Sequence, residues 1–286
     1  MTPTLDQFLA AKPAALRTGP IAILLIEDEV ETASTLAHAV KAGFRTILAL
    51  SPEPLALSAP HPAIVNLTFD SRRKRAHVDA VNAVNEAVPP GTWLYYGYNA
   101  EYLFFPFSET RQVGEMLAFH AEERRAAMLT YVIDLYAPDL ARYPDAVNLD
   151  NAMFDRTGYY ALGRTDGSGQ TLDRQLDFHG GLRWRFEEYL PEDRRRIDRI
   201  ALFRSRPGLR LLEDHRFDDQ EYNTYACRWH NNLTAAIVSF RVAKALRRNP
   251  ASRDRIDSFM WRNSHPFDWS AQQLMEFGLM EPGQWY

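Results

Sequence analysis

The 286-residue chain has one cysteine, Cys227, which excludes an intrachain disulfide framework and a zinc–cysteine cluster. No apolar run approaches the roughly 18 residues of a membrane-spanning helix, so none is expected. The N-terminus has no basic start ahead of a long apolar stretch, so no secretory leader is expected and a cytoplasmic protein is. Basic charge is not in excess: 33 Lys and Arg face 37 Asp and Glu, a net charge of −4. That balance argues against nucleic acid as a partner. There is no internal repeat and no low-complexity segment. What the chain does have is aromatic residues, 12% of the total, and they cluster.

The spacing of apolar residues predicts an α/β chain. Residues 1–20 carry Pro3, Pro13 and Pro20 and no clean period, and are expected to form an N-terminal arm. Ile21–Ile26 is an unbroken apolar run, the pattern of a strand buried on both faces. Helical spacing follows over 29–42, with Gly43 as its stop. Strands are expected over 44–50, 63–67 and 93–98, with a helix over about 72–87 and a proline-rich loop over 51–62. The alternation implies a mostly parallel central sheet with helices on both faces. Beyond residue 100 the pattern predicts a helix over 110–125, a strand over 128–135 and an irregular stretch over 138–175. Strands and turns are expected over 180–212 and a helix over 231–248. The body thus runs over 21–250. The tail, 251–286, is expected to pack back on it through Phe259, Trp261, Phe267, Trp269, Phe277 and Trp285, with a dimer contact as the alternative.

Ile23–Glu29 looks like the opening of a response-regulator receiver domain, where an acidic pair after the first strand binds magnesium beside a phosphorylated aspartate. Asp70 is the only aspartate at about the right distance, and the receiver surroundings are missing. Acids at a helix N-terminus also complement the macrodipole without any ligand.

A closer resemblance starts from the same residues. A strand running into Asp28-Glu29, then a helix, Gly43-Phe44 and a second strand, is similar to the opening of family 2-like glycosyltransferases with the GT-A (Rossmann-like) fold. Their first strand usually ends in Lys-Asn-Glu. The segment Trp93–Phe107 resembles the family's tryptophan-led strand ending in Asp-Ala-Asp-Glu-Phe. His179-Gly180-Gly181-Leu182-Arg183-Trp184-Arg185-Phe186 is similar to its glycine-glycine-arginine segment. The resemblance covers roughly residues 20–240 in pieces, and implies a nucleotide-sugar donor, an irregular C-terminal acceptor region and a glycan, glycolipid or protein acceptor. Peripheral membrane association stays open.

Carried over residue by residue, the resemblance puts Glu27, Asp28 and Glu29 beside the donor nucleotide, at a strand end where open α/β sheets bind ligands. Tyr98 and Ala100 stand where two metal-binding aspartates would be, with Asn99 between them and Glu101 after. A tyrosine and an alanine cannot grip a hard cation with a diphosphate. Three readings follow. The enzyme works without metal, or Asn99, Glu101, His215 and outlying acids hold manganese or magnesium differently, or catalysis is lost and the chain is a binding or scaffold protein. Arg183 and Arg185 alternate along an expected strand and so share a face suited to a diphosphate. Pairing with Glu187, Glu188 or Asp177 is the simpler alternative. His215 and His230 are implied near the diphosphate and the acceptor, though either suits an ordinary structural role. An inverting transfer needs a carboxylate base, for which Asp134 and Asp177 are the candidates. Tyr95, Tyr96, Tyr98, Tyr102 and the Phe104–Phe107 loop offer either a sugar-facing wall or core.

Overall fold

The structure is a computed structural model and describes residues 2–56, 60–225 and 232–285. Its elements in chain order are α1 (Leu5–Ala10), β1 (Ile21–Leu25), α2 (Thr32–Ala42), β2 (Thr46–Ser51), β3 (Ile64–Thr68), α3 (Ala76–Ala87), β4 (Trp93–Tyr98), β5 (Glu101–Phe104), α4 (Val113–Glu122) and β6 (Ala127–Tyr136). Then come β7 (Met153–Asp155), β8 (Tyr160–Thr165), β9 (Thr171–His179), α5 (Gly181–Arg185), β10 (Asp198–Arg204), β11 (Ala235–Ser239), α6 (Arg241–Arg248), β12 (Ser264–Pro266) and α7 (Ala271–Glu276). No helix among the described residues is long and apolar enough to cross a membrane.

The chain divides into two compact units. The first comprises Met1–Leu103, Thr110–Leu129 and Ile200–Asn223, and the second Phe104–Glu109, Thr130–Arg199 and Thr224–Tyr286. In the first, β1 lies between β2 and β4, parallel to both, and β3 extends the sheet beyond β2, also parallel. Residues of β10 close the other side, antiparallel to β4. The order β3-β2-β1-β4 is that of one half of a doubly wound sheet, with its switch point between β1 and β4. A receiver domain would place β1 between β2 and β3, so the strand order removes that reading. β1 and β2 form close to where predicted because each is an apolar run buried on both faces, every residue of both being buried, while β3 at the edge is mostly half-buried.

The N-terminal segment carries local structure. Thr4 and Gln7 form a reciprocal capping box on α1, and Leu5 and Leu16 are buried. In the second unit β6 pairs parallel with β11 and antiparallel with β7, which pairs with β12. The helix expected over 231–248 is instead β11 followed by α6, because Ala235–Val238 is an apolar strand run and only the basic stretch after it is helical. The stretch read as irregular contains the β8–β9 hairpin. The aromatic tail packs within this unit, with Phe267 against Phe104 and Phe154, and Trp285 against Phe107.

Candidate functional site

In the first unit, the carboxyl ends of β1 and β4 meet through Asn99, which is wholly buried. Its carboxamide oxygen accepts from the Glu27 amide at 2.9 Å. Its nitrogen donates to Asp28 Oδ1 at 2.6 Å and to the Val30 carbonyl at 2.9 Å. Asp28 Oδ1 also accepts from the Val30 amide at 3.0 Å. Asn99 therefore fixes the loop that leaves β1 and brings Glu27, Asp28 and Asn99 together.

Beside this loop lies a cavity of about 640 Å³, lined by Ile64 at the amino end of β3, by Arg72 beyond that strand, and by residues at the carboxyl ends of β1 and β2. Such ends are where open α/β sheets bind ligands, and the size suits a small-molecule site. One wall is α2, where Ala33 and Ala37 leave room that larger side chains would fill. Leu36, Val40, Leu55 and Ile64 make an apolar interior. Asp28, Glu29, Glu53, His61 and Arg72 bring polar groups to it. Arg72 donates through Nε to the Glu27 carbonyl at 2.6 Å, which braces the guanidinium against the β1 loop. Ser71 donates to the Ile26 carbonyl from the same turn. Glu53, His61 and Arg72 were missed as site residues by sequence reasoning. An acid just past the end of β2 and a base just past β3 were the available signals.

The other expected residues of this unit lie elsewhere. Glu101 is buried, accepts from the Tyr98 amide at 3.1 Å, and lines a small void under α2 with Thr35, His38 and Tyr95. It is neither a solvated loop acid nor a residue of the larger cavity's described lining. Tyr98 is buried with Leu25 and Ala76. Tyr95, Tyr96 and Tyr102 are core as well, so they make no sugar-facing wall. Tyr95 stacks on Phe44, and burial pushes the Tyr102 hydroxyl up to about 12. His215 stands with φ 66°, its Nδ1 3.1 Å from the Tyr96 hydroxyl and its ring 4.6 Å from that of His77. That is a structural stack within the fold. No group of three His, Cys, Asp or Glu able to hold a metal occurs among the described residues. Glu101, already engaged by a backbone amide, and His215, engaged by Tyr96, do not fit a divalent cation as they stand.

In the second unit, Arg183 and Arg185 do not alternate on a strand. They lie on α5, whose entry requires both glycines. A Cβ on Gly180 would fall 2.2 Å from the Tyr159 ring, and Gly181 has φ 63°, with a Cβ there falling 2.9 Å from Asp134 Oδ2. Asp134 is fully buried and accepts from the Arg183 amide and Nε, both at 3.3 Å. Burial pushes its carboxyl up while Arg183 pulls it back. Arg185 binds both oxygens of buried Asp155 at 2.9 and 3.2 Å, and the Tyr136 hydroxyl and Trp261 indole donate to the same carboxylate. Asp177 is paired with Arg164 at 3.2 Å and Arg196 at 3.4 Å. Arg183 and Arg185 are thus paired with Asp134 and Asp155, and not with the expected Glu187, Glu188 or Asp177. His230 lies outside the described residues. Compared with models of known protein families and with curated proteins, the sequence matches none.

Proposed function

We propose that this chain is a glycosyltransferase of GT-A-like build. In this reading it takes a nucleotide-sugar donor into the cavity at the ends of β1 to β3 and passes the sugar to a glycan, glycolipid or protein acceptor. The cavity itself carries the proposal. Its apolar interior between α2 and Leu55 suits a nucleobase, Glu53 and Asp28 suit ribose hydroxyls, and Arg72 suits a phosphate. In the reaction the bond from the anomeric carbon to the donor phosphate breaks and one to the acceptor oxygen forms. The acceptor proton passes to a base, and the nucleoside diphosphate leaves. Arg72 is the permanent cation among the described lining residues and offers the leaving group charge without an Asp-x-Asp metal. We assign the base role to neither Asp134 nor Asp177, because both are held in arginine ion pairs. Those pairs, with Tyr98 and Ala100 in the metal positions, favour a second reading: a glycosyltransferase-fold protein that binds nucleotide without transferring sugar.

The test is thermal stabilisation by UDP, GDP, CMP, TDP and their sugars, with and without manganese. A ligand at 100 times its dissociation constant adds about 2.7 kcal/mol, which is roughly 4–5 °C for a chain of this size. The expected result is a shift with one nucleotide, indifferent to manganese and abolished in Ala37→Trp. No shift with any would refute both readings. A shift without release of nucleoside diphosphate from the matching sugar nucleotide would select the second.

A further inference from the structure

The buried polar groups around α5 are unevenly satisfied. Asp155 is well supplied: besides the Arg185 guanidinium it takes the Tyr136 hydroxyl at 2.6 Å and the Trp261 indole at 2.7 Å. Asp134, fully buried on β6, accepts two hydrogen bonds, both from Arg183 and both at 3.3 Å. A carboxylate offers about four acceptor sites, and its charge-assisted bonds usually run to about 2.7–2.9 Å. Asp134 is therefore loosely held for a buried charge. Nearby, the Tyr159 hydroxyl is buried and has no hydrogen-bond partner among the described residues. A buried hydroxyl left unmade costs stability that a phenylalanine in its place would not, so its presence calls for a use.

The two groups share one corner of the second unit. The Tyr159 ring lies against Gly180 and Asp134 Oδ2 against Gly181, so closely that a Cβ on either glycine would collide. Burial first, then the charges of Asp155 and Asp134, push the Tyr159 phenol well above its ordinary value, so it stays protonated. Burial also pushes the Asp134 carboxyl up, and Arg183 opposes it. The charged groups that face Asp134 are Arg183 of α5 and Asp155 of β7, and Asp155 is answered by Arg185.

We propose that Asp134 is the pivot of a proton-driven exchange of partners: when its carboxylate takes a proton, the new O–H donates to the Tyr159 oxygen and the Arg183 guanidinium turns out to solvent. One proton enters from water, and the new O–H is the only covalent bond formed. The neutral carboxyl no longer needs a counter-charge, and the phenol oxygen gains the partner it lacks. α5 keeps its place, because buried Leu182 and the Arg185–Asp155 pair anchor it on either side of Arg183. The Arg183 side chain is 12% exposed and its neighbour Trp184 is open to solvent, so it has a way out. Besides Asp134, the Arg196 carbonyl holds it, through Nη1 at 2.8 Å. The result is a cation presented in acid and withdrawn at neutral pH, a device independent of the glycosyltransferase reading.

The experiment follows the Asp134 carboxyl carbon and the Arg183 Nε–H signal of the full chain by NMR from about pH 8 to about pH 4. In wild type, solvent exchange of the Arg183 Nε–H should quicken about tenfold or more, beyond its intrinsic pH dependence, as Asp134 titrates. In Tyr159→Phe the neutral carboxyl has lost its acceptor. Asp134 should then bind its proton about three- to tenfold more weakly, and the change at Arg183 should move to lower pH with it. The same variant should melt no lower than wild type at pH 8, where the hydroxyl is unused. Asp134→Asn, which mimics the neutral acid, should leave Arg183 in fast exchange at every pH. The proposal is overturned if Arg183 stays protected while Asp134 titrates, or if Asp134 titrates in Tyr159→Phe as it does in wild type. A lower melting point for Tyr159→Phe at pH 8 would also overturn it, because the hydroxyl would then already be bonded. So would global unfolding ahead of any change at Arg183, since the exchange would then be no property of the native chain.

Discussion

Replacing Asn99 by alanine tests the claim that one buried carboxamide ties the ends of β1 and β4 together. Asn99→Ala strips the Glu27 amide of its 2.9 Å acceptor and the Val30 carbonyl of its 2.9 Å donor, and removes one donor from Asp28. At a position with no solvent exposure, two orphaned backbone groups and a weakened carboxylate contact cost about 3–5 kcal/mol. For a chain of this size that is a fall of about 5–8 °C in melting point. Asn99→Asp supplies a sharper signature. It sets a second carboxylate against Asp28, where a 2.6 Å hydrogen bond now lies, and like charges that close raise the pKa of the pair. Raised carboxylate pKa values make the loss greatest above the folded-state value and let it fade as pH drops and a proton bridges the two acids. Calorimetry from pH 4 to pH 8 should therefore show Asn99→Asp recovering towards wild type in acid, and Asn99→Ala not recovering. Parallel pH profiles for the two variants, or a melting point for Asn99→Ala within about 2 °C of wild type, would refute the reasoning.

Arg183→Ala should cost about 3–5 kcal/mol in thermal unfolding, because it leaves the buried Asp134 charge unpaired, while Asp134→Asn should cost clearly less. If Asp134→Asn instead leaves stability alone and abolishes transfer, Asp134 is the base after all. Gly180→Ala should destabilise by about 1–3 kcal/mol through the clash with Tyr159, read as a lower urea midpoint. His120 is held neutral by burial, its pKa lowered to about 4 while its Nε2 meets the Ala127 carbonyl. The unfolded chain binds that proton from about pH 6.5 downward and the native one does not, so stability is lost as pH falls from 6.5 towards 4. His120→Gln should flatten that slope. Burial raises Asp198 to about 6, with Arg196 opposing. Its contribution is fully present below the unfolded value near 4 and lost as pH rises through 6, so Asp198→Asn should gain up to about 2–3 kcal/mol over wild type above pH 7.

The first unit was legible because its strands are apolar runs between clear breaks. Trp93–Tyr98 was predicted to the residue. Elsewhere, local pattern and tertiary demand diverged. Arg183 and Arg185 show period-two spacing, yet Gly180 and Gly181 open a short helix that carries each arginine to a buried acid. The apolar run Ala235–Val238 was merged with the basic helix behind it, although its branched residues suit a strand. Thr4 and Gln7 carry a capping signature at the spacing that nucleates α1, which the surrounding prolines masked. Glu53 sits in a segment that read as loop and Arg72 at the start of an expected helix, and only the parallel order of β1, β2 and β3 brings them to one cavity.

The central claim is that a nucleotide occupies the cavity between α2 and the ends of β1 to β3. A crystal structure of the chain with the nucleotide that stabilises it most tests this directly. The account predicts base density against Leu36, Val40 and Leu55, with a phosphate within hydrogen-bond reach of the Arg72 guanidinium. A nucleotide bound elsewhere on the chain, with this cavity holding only solvent, would contradict it.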